Sequence, residues 1–289
     1  MRVLVTGGSG FLGRHVVPLL IARDVEVTAL ARSDGAATTL DDLGATPVRG
    51  DLDDPEGLKG AFRASGADVL VNLASLGFGH AESIIRAAET TGFSRAIFIS
   101  TTSIFTSLDT PTKPIRIRAE ESIKNSALEW TILRPTMIYG APGDRNMERL
   151  IKLLTRTSIV PVPGGGRGLQ QPVHVDDLAE VVAAGTARHQ ASFAAFDIAG
   201  PVPLTLREVI EQAGAAVGKS AKVVPLPLTP VRALVSLYER KAATPRIKAE
   251  QIERLAEDKA FDISPARAAF DYDPRSFADG IREEALLLQ

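Results

Sequence analysis

The chain has 289 residues, 45% of them hydrophobic, with a formal net charge of -2. That length suffices for one large domain or a main domain with a smaller lobe, and the near-neutral balance argues against nucleic acid as a partner. The cysteine count is 0, which excludes disulfides, a thiol nucleophile and thiolate metal sites. No apolar run reaches bilayer-spanning length, so no transmembrane segment is expected. Glycines interrupt the apolar stretch after Arg2 before a signal-peptide pattern can form, and a cytoplasmic location is expected.

The first element is the most informative. Val3-Leu4-Val5-Thr6 reads as a short strand that runs into Gly7-Gly8-Ser9-Gly10-Phe11-Leu12-Gly13, and an apolar helix pattern follows through Val16, Val17, Leu19 and Leu20. This arrangement gathers backbone N–H groups at a helix N-terminus, where they can hold a pyrophosphate. Gly7 permits the tight turn, Gly10 lets a ligand approach the backbone, and Gly13 lets helix and strand lie close. Strands are expected over Val25–Ala31 and Thr46–Arg49, then a helix over Asp54–Ala64 with Pro55 in its first turn. Val69–Leu73 suits a buried parallel strand. A helix over Ala81–Thr90, a strand over Ala96–Ser100, a helix over Arg118–Ser126 and a strand over Trp130–Arg134 complete an alternation that predicts an α/β, doubly wound parallel sheet of Rossmann type.

Beyond Pro135 the pattern loosens. Pro161, Pro163 and Gly164-Gly165-Gly166 predict an exposed loop. Helices are expected over Asp176–Ala187 and Leu204–Val217, the second with Thr205 and Glu208 at capping-box spacing. Strands are expected over Ala194–Ile198 and Val223–Leu226, and the apolar stretch Pro225–Leu237 is read as cover for a cleft or a contact with a partner. The remaining tail reads as charged and helix-rich. The organisation implied is a dinucleotide-binding domain over residues 1–160 and a mixed segment over 161–289 that completes the sheet and builds a smaller C-terminal substrate lobe.

The second strand ends Leu30-Ala31-Arg32-Ser33, without the acid that usually binds an unphosphorylated ribose. Arg32 and Ser33 suit a 2′-phosphate, which favours NADP over NAD, while Asp34 opposes it. Asp51, ahead of Leu52, is placed either to accept from an adenine amine or to cap a turn. Leu73-Ala74-Ser75 is expected to run beside the ribose and pyrophosphate. The histidines at 15, 80, 174 and 189 have no metal-ligand spacing, and no metal site is expected.

Taken together, the glycine motif, Thr131-Ile132-Leu133-Arg134-Pro135-Thr136-Met137-Ile138-Tyr139-Gly140 and Val173-His174-Val175-Asp176-Asp177-Leu178-Ala179 resemble the extended and atypical short-chain dehydrogenase/reductases, the NAD-dependent epimerase/dehydratase family. The resemblance covers nearly the whole chain. It implies an NAD(P) coenzyme passing Pro135 and a reacting hydroxyl at Thr102, with Ser103 as a neighbour able to substitute. It also implies a Tyr-x-x-x-Lys pair, but those positions fall at Thr112 and Arg116. A phenol is thus replaced by an alcohol that is a much poorer acid. Arg116 then suits ribose or phosphate binding, and Lys113 and Tyr139 become the candidate proton donors. His174 is expected in a structural strand-to-helix junction, with Asp176 or Asp177 capping the helix. Arg134 is read as pairing with an acid or a substrate phosphate.

In family members that use nucleotide sugars, residues from the regions of Arg145, Asn146, Arg149 and Arg167 clamp the diphosphate, and an arginine fork suits that task. The first functional reading is therefore an oxidoreductase or epimerase acting on a nucleotide-sugar-like small molecule, such as a 4-keto sugar reductase. The alternatives are a coenzyme-binding regulatory or assembly protein without catalysis, and a reductase of a small non-nucleotide carbonyl compound. Family members often pair through helices, which makes a homodimer the expected assembly.

Overall fold

A computed structural model describes residues 1–241, 253 and 257–288 of the chain. Its centre is a seven-stranded sheet in which every neighbouring pair is parallel. The strands are β1 (Arg2–Thr6), β2 (Glu26–Ala31), β3 (Thr46–Arg49), β4 (Val69–Asn72), β5 (Arg95–Ile99), β6 (Glu129–Pro135) and β11 (Ala194–Ile198), in the order β11-β6-β5-β4-β1-β2-β3. Four- and five-residue runs buried on both faces make β4 and β5 central. The chain winds outward from β1 to β3 and then restarts at β4 on the other side of β1. That reversal opens a crevice beyond the carboxyl ends of β1 and β4, where open α/β sheets bind ligands.

Helices cover both faces. On one lie α1 (Gly13–Ile21), α2 (Asp34–Asp42), α7 (Val175–Gly185) and α10 (Ser264–Phe270), which pack Val16, Leu20, Leu40, Val182 and Phe270 into one core. On the other lie α3 (Pro55–Ser65), α4 (Ala81–Thr91) and α5 (Lys113–Lys124), which contribute Leu58, Phe62, Ile84 and Ile123. Each such side chain, fully buried, is worth about 1.5–3 kcal/mol. A third core joins α6 (Met147–Leu154), α8 (Leu206–Ala216) and α11 (Phe277–Leu287) to the parallel pair β8 (Ile159–Pro163) and β13 (Lys222–Leu226). Two-residue strands complete the lobe: β7 (Ile138–Tyr139) with β10 (Val173–His174), and β9 (Leu169–Gln170) with β12 (Leu204–Thr205).

Several expectations need correction. The segment from Pro161 to Gly166 is not a simple exposed loop: Val160 and Val162 alternate into the third core, and Gly165 and Gly166 are buried. Proline is admitted there because the strand belongs to a two-stranded edge. Helix α5 begins at Lys113 rather than Arg118, since Pro114 sits in the first turn, where its missing N–H costs nothing. Helix α2 was not anticipated; Ser33 caps it by accepting from Ala36 N at 3.3 Å. The stretch after Pro225 forms α9 (Leu228–Lys241), which leaves Leu234 and Leu237 exposed rather than covering a cleft. The expected capping box of Thr205 and Glu208 is present in full. The charged tail is described only in part, because residues 242–252, 254–256 and 289 lie outside the described set.

Candidate active site

The glycine turn forms as a cradle that side chains would fill. Gly7 holds φ +73°, and a Cβ there would lie 2.8 Å from Ala74 N. At Gly13 a Cβ would lie 2.2 Å from Gly8 O, so only glycine lets α1 start against the turn. Gly10 N donates to Gly7 O at 3.0 Å, closing the loop. The amides of Phe11 and Leu12 precede the helix and have no helical carbonyl to bond. From the other side of the crevice, Asn72 pins the Leu73-Ala74-Ser75 segment. Its Oδ1 accepts from Thr6 Oγ1 at 2.6 Å, its Nδ2 donates to Ala74 O at 3.0 Å, and Leu73 N donates to Thr6 O at 3.0 Å. A narrow, donor-rich slot of this kind fits a dinucleotide pyrophosphate.

At the far end of the crevice Arg32 and Ser33 are exposed. Sequence reasoning missed Arg49. It sits opposite Ala31 in the β2–β3 register, and its Nη1 donates to Asp34 Oδ1 at 2.8 Å. Two arginines therefore flank this rim, and Asp34 neutralises one of them. Asp51 adopts the turn role, accepting from Asp53 N at 3.1 Å, with Leu52 beside it.

The other end lies where β5, β6 and the start of α5 meet. Thr102 is buried and donates to Pro135 O at 3.3 Å. Ser103 Oγ accepts from Arg116 Nη1 at 2.9 Å, and the same nitrogen donates to Thr112 Oγ1 at 3.1 Å. A Cβ on Gly77 would come within 3.1 Å of Arg116 Nε, so the guanidinium also lies against the 3-10 turn after β4. Lys113 Nζ donates to Thr106 O at 2.6 Å. Arg116 thus bridges two hydroxyls.

Behind this cluster is a buried ion pair that holds α5 to the sheet. Glu120 is 2% exposed. It accepts from Arg134 Nε at 2.9 Å, from Arg134 Nη2 at 2.5 Å and from Ser100 Oγ at 2.6 Å. Burial pushes the Glu120 carboxyl up, but the Arg134 and Ser100 hydrogen bonds prevail and hold it below the usual range. Of the two readings of Arg134, the structure supports pairing with an acid. Its guanidinium also lies 5.1 Å from the Phe105 ring centroid. A second missed residue is Glu257. It accepts from Thr106 Oγ1 at 2.6 Å, Ser107 N at 2.6 Å and Ser107 Oγ at 2.9 Å. With Phe261 against Phe105, it fastens the loop between Thr102 and Lys113. A separation of 150 residues left no local signal for that contact.

Tyr139 is 1% exposed and belongs to the third core, packed on His174 and Phe277 with its hydroxyl against Gly280. Burial pushes its phenol up from the ordinary value. His174, not Asp176 or Asp177, caps α7, accepting from Asp176 N at 3.3 Å. The two aspartates are drawn away by other partners, Asp176 by His15 at 2.6 Å and Asp177 by Arg275 at 2.9 Å. Burial, reinforced by Arg275, lowers the His174 pKa and keeps the ring neutral. Arg145, Asn146, Arg149 and Arg167 are all exposed. Among the described residues no cluster of three His, Cys, Asp or Glu has metal-binding geometry, and no helix is long and apolar enough to cross a membrane.

Crevice, cradle and sheet order define a dinucleotide-binding Rossmann fold. Residues 7–187 match the NAD(P)H-binding family model, and the chain belongs to that family, within the extended and atypical short-chain dehydrogenase/reductases. It is 29% identical over 290 residues to a 4-hydroxy-2-methyl-3-oxo-4-farnesyl-3,4-dihydroquinoline-1-oxide ketoreductase of Stigmatella aurantiaca, covering 89% of this chain and 85% of the relative. It is 27% identical to a 2-alkyl-3-oxoalkanoate reductase of Stenotrophomonas maltophilia, covering 98% of each. The fold is shared with a UDP-glucuronic acid 4-epimerase from Bacillus cereus, solved with UDP-glucuronic acid and NAD, at TM-score 0.75 and 19% identity over 100% of this chain and 99% of that one.

Proposed function

We propose that the protein is an NADPH-dependent ketoreductase for a carbonyl compound bearing an apolar chain. The observation that carries this reading is the Ser103–Arg116–Thr112 cluster, with an exposed phenylalanine on each of the two 3-10 turns that adjoin it. Phe78, which ends the 3-10 turn packed against Arg116, is 76% exposed, and Phe105, next to Ser103 and Thr102, is 52% exposed. Aromatic walls around a few convergent polar groups suit an apolar ligand with one polar reacting end. Two relatives with near-complete coverage are named for substrates of that kind, a farnesylated quinoline oxide and a 2-alkyl-3-oxoalkanoate.

When bound, the coenzyme supplies a hydride to the carbonyl carbon. The chain's own residues would deal with the oxygen. The Ser103 hydroxyl accepts from Arg116, so its proton is free to point at the substrate oxygen, and the guanidinium charge favours the developing alkoxide. A fixed cation beside the oxygen lowers the demand for a strong acid, and the final proton can come through Ser103 or Thr112 from water. Thr102, tied to Pro135 O, orders the wall. We assign Tyr139 and Lys113 to packing and loop order, in view of Tyr139's burial and the Lys113–Thr106 hydrogen bond. The pyrophosphate cradle would be Gly7, Gly8, Ser9, Gly10, Phe11, Leu12 and Gly13, closed by Leu73, Ala74 and Ser75, with Arg32 toward a 2′-phosphate.

A nucleotide-sugar substrate is the second reading, favoured by exposed Arg145, Arg149 and Arg167 after Tyr139. The test is NADPH oxidation by purified protein with a long-chain 3-oxo ester against a UDP-4-keto sugar. Turnover of the ester is expected, and Arg116→Met is expected to lower kcat by about 10²–10³-fold. Turnover of the UDP-4-keto sugar alone, or an unimpaired Arg116→Met variant, would overturn the reading.

A further inference from the structure

Two carboxyl groups are buried beside the third core. Glu284 on α11 is 0% exposed, and Asp144, in the loop that follows β7, is 6% exposed. Each has one oxygen satisfied by backbone. Glu284 Oε2 accepts from Gly140 N at 2.9 Å. Asp144 Oδ1 accepts from Asn146 N and Met147 N at 2.8 Å and from Glu148 N at 3.2 Å, capping α6. Each also has a second oxygen, Glu284 Oε1 and Asp144 Oδ2, with no partner among the described residues. Both orphan oxygens bear on one buried segment, since Gly140 N, four residues before Asp144, is held by Glu284, and Asp144 acts on Glu284 by charge and hydrogen bond. Two carboxylate oxygens are both acceptors and repel, so contact between them requires a proton.

We propose that Asp144 and Glu284 share one proton, carried by Glu284, and that this bond is a pH-sensitive latch clamping the Gly140–Arg149 loop to α11. Asp144 Oδ1 already takes three amides, so its Oδ2 is the oxygen left to accept a proton donated from Glu284 Oε1. Burial first, then the Asp144 charge and hydrogen bond, push the Glu284 carboxyl up to about 8, with the Gly140 amide opposing and Glu148 adding. The surrounding charges are otherwise engaged. On α6, Glu148 pairs with Lys152 and Arg149 is exposed. On α11, Glu283 pairs with Arg275. From β10, His174 lies against Gly140 as a neutral ring. α8 turns Val209, Ile210 and Ala213 to this core, while its Arg207 pairs with Glu211 and its Glu208 with Thr205. No cation among these described groups reaches the pair in place of the proton.

The loop so clamped carries Arg145, Asn146 and Arg149, so in the second, nucleotide-sugar reading Glu284 is a positioning residue for the substrate side; that part rests on that reading, while the latch itself rests on neither. The sign follows from the raised pKa. A carboxyl that ionises more readily once exposed favours the closed form most below its unfolded value, and the advantage is lost as pH rises through the folded one. Opening of the loop should therefore increase up to about tenfold per pH unit between roughly pH 5 and 8 and level off above that.

The test is amide hydrogen exchange of the whole protein, read by mass spectrometry on peptides spanning 140–149 and corrected for intrinsic rates. Wild type is expected to lose protection there with rising pH, while peptides of β4 and β5 keep theirs. Glu284→Gln retains a donor for Asp144 and an acceptor for Gly140 N, so it should stay protected at pH 8 and show no pH slope. Asp144→Asn supplies its own amide donor and should also flatten the slope, which keeps the idea testable if one variant fails to fold. A wild-type loop with pH-independent protection, or a folded Glu284→Gln with the wild-type slope, would overturn the latch. Because no substrate is present, such a failure leaves the ketoreductase reading untouched, and inactivity toward ketones leaves the latch untouched.

Discussion

Replacing Glu120 with leucine is the sharpest stability test the site offers. It deletes a carboxylate that accepts three close hydrogen bonds, two from Arg134 and one from Ser100, and leaves Arg134 with its side chain only 13% exposed. Removing one partner of a buried pair costs about 3–5 kcal/mol, because the surviving charge has neither water nor a counter-ion. Asp197 Oδ1 lies 3.7 Å from Arg134 Nη1 and can take over part of the charge, so the lower end, about 3 kcal/mol, is expected. At about 2–4 °C per kcal/mol for a chain of this size class, Tm should fall by about 6–12 °C. Urea unfolding should move Cm with little change in m. The control is Glu120→Leu with Arg134→Met, which removes both charges and should recover most of the loss. Because the folded Glu120 pKa is depressed, the pair's contribution is present above the ordinary glutamate value and disappears as pH falls through the lowered one. The wild-type advantage over the double variant should shrink in that acid window. A single variant within 1 kcal/mol of wild type (below the ~3–5 kcal/mol range for such pairs), or a double variant no better than the single one, would refute the reasoning.

Two further outcomes are expected at the coenzyme and lobe. Arg32→Ala should lower the NADPH-to-NADH affinity ratio by about tenfold or more by calorimetry, the loss of one charge-assisted hydrogen bond; an unchanged ratio removes the basis for preferring NADP. Tyr139→Phe should fold and turn over like wild type, since its hydroxyl packs on Gly280 inside the third core, and a large fall in kcat with intact structure would restore it as a proton donor.

The sheet was legible because its signals are local. Buried runs such as Val69–Val71 and the strand–glycine–helix junction at Thr6–Gly13 are determined by residues close in sequence. The capping box at Thr205 and Glu208 was readable for the same reason. Helix α2 was not, because Gly35, Thr38 and Thr39 give a weak helical pattern and the cap at Ser33 is the one strong local signal. The segment from Pro161 to Gly166 misled because proline and glycine mark turns in general, whereas a two-stranded edge tolerates both. The candidate site was less legible. Spacing drew attention to Thr112 and Arg116, but their mutual bonds with Ser103, the Arg49–Asp34 contact and the grip of Glu257 depend on which loops the folded sheet brings together. The Asp144–Glu284 pair joins residues 140 positions apart, and no pattern within either segment announces it.

The fastening of Ser107 by Glu257 bears on how the protein is made. The dinucleotide cradle is complete once the first four strands have left the ribosome, but the loop between Thr102 and Lys113 waits for an anchor encoded 150 residues later. A nascent chain can therefore assemble its coenzyme pocket well before the neighbouring loop has its anchor, and ordering of that loop should trail ordering of the sheet.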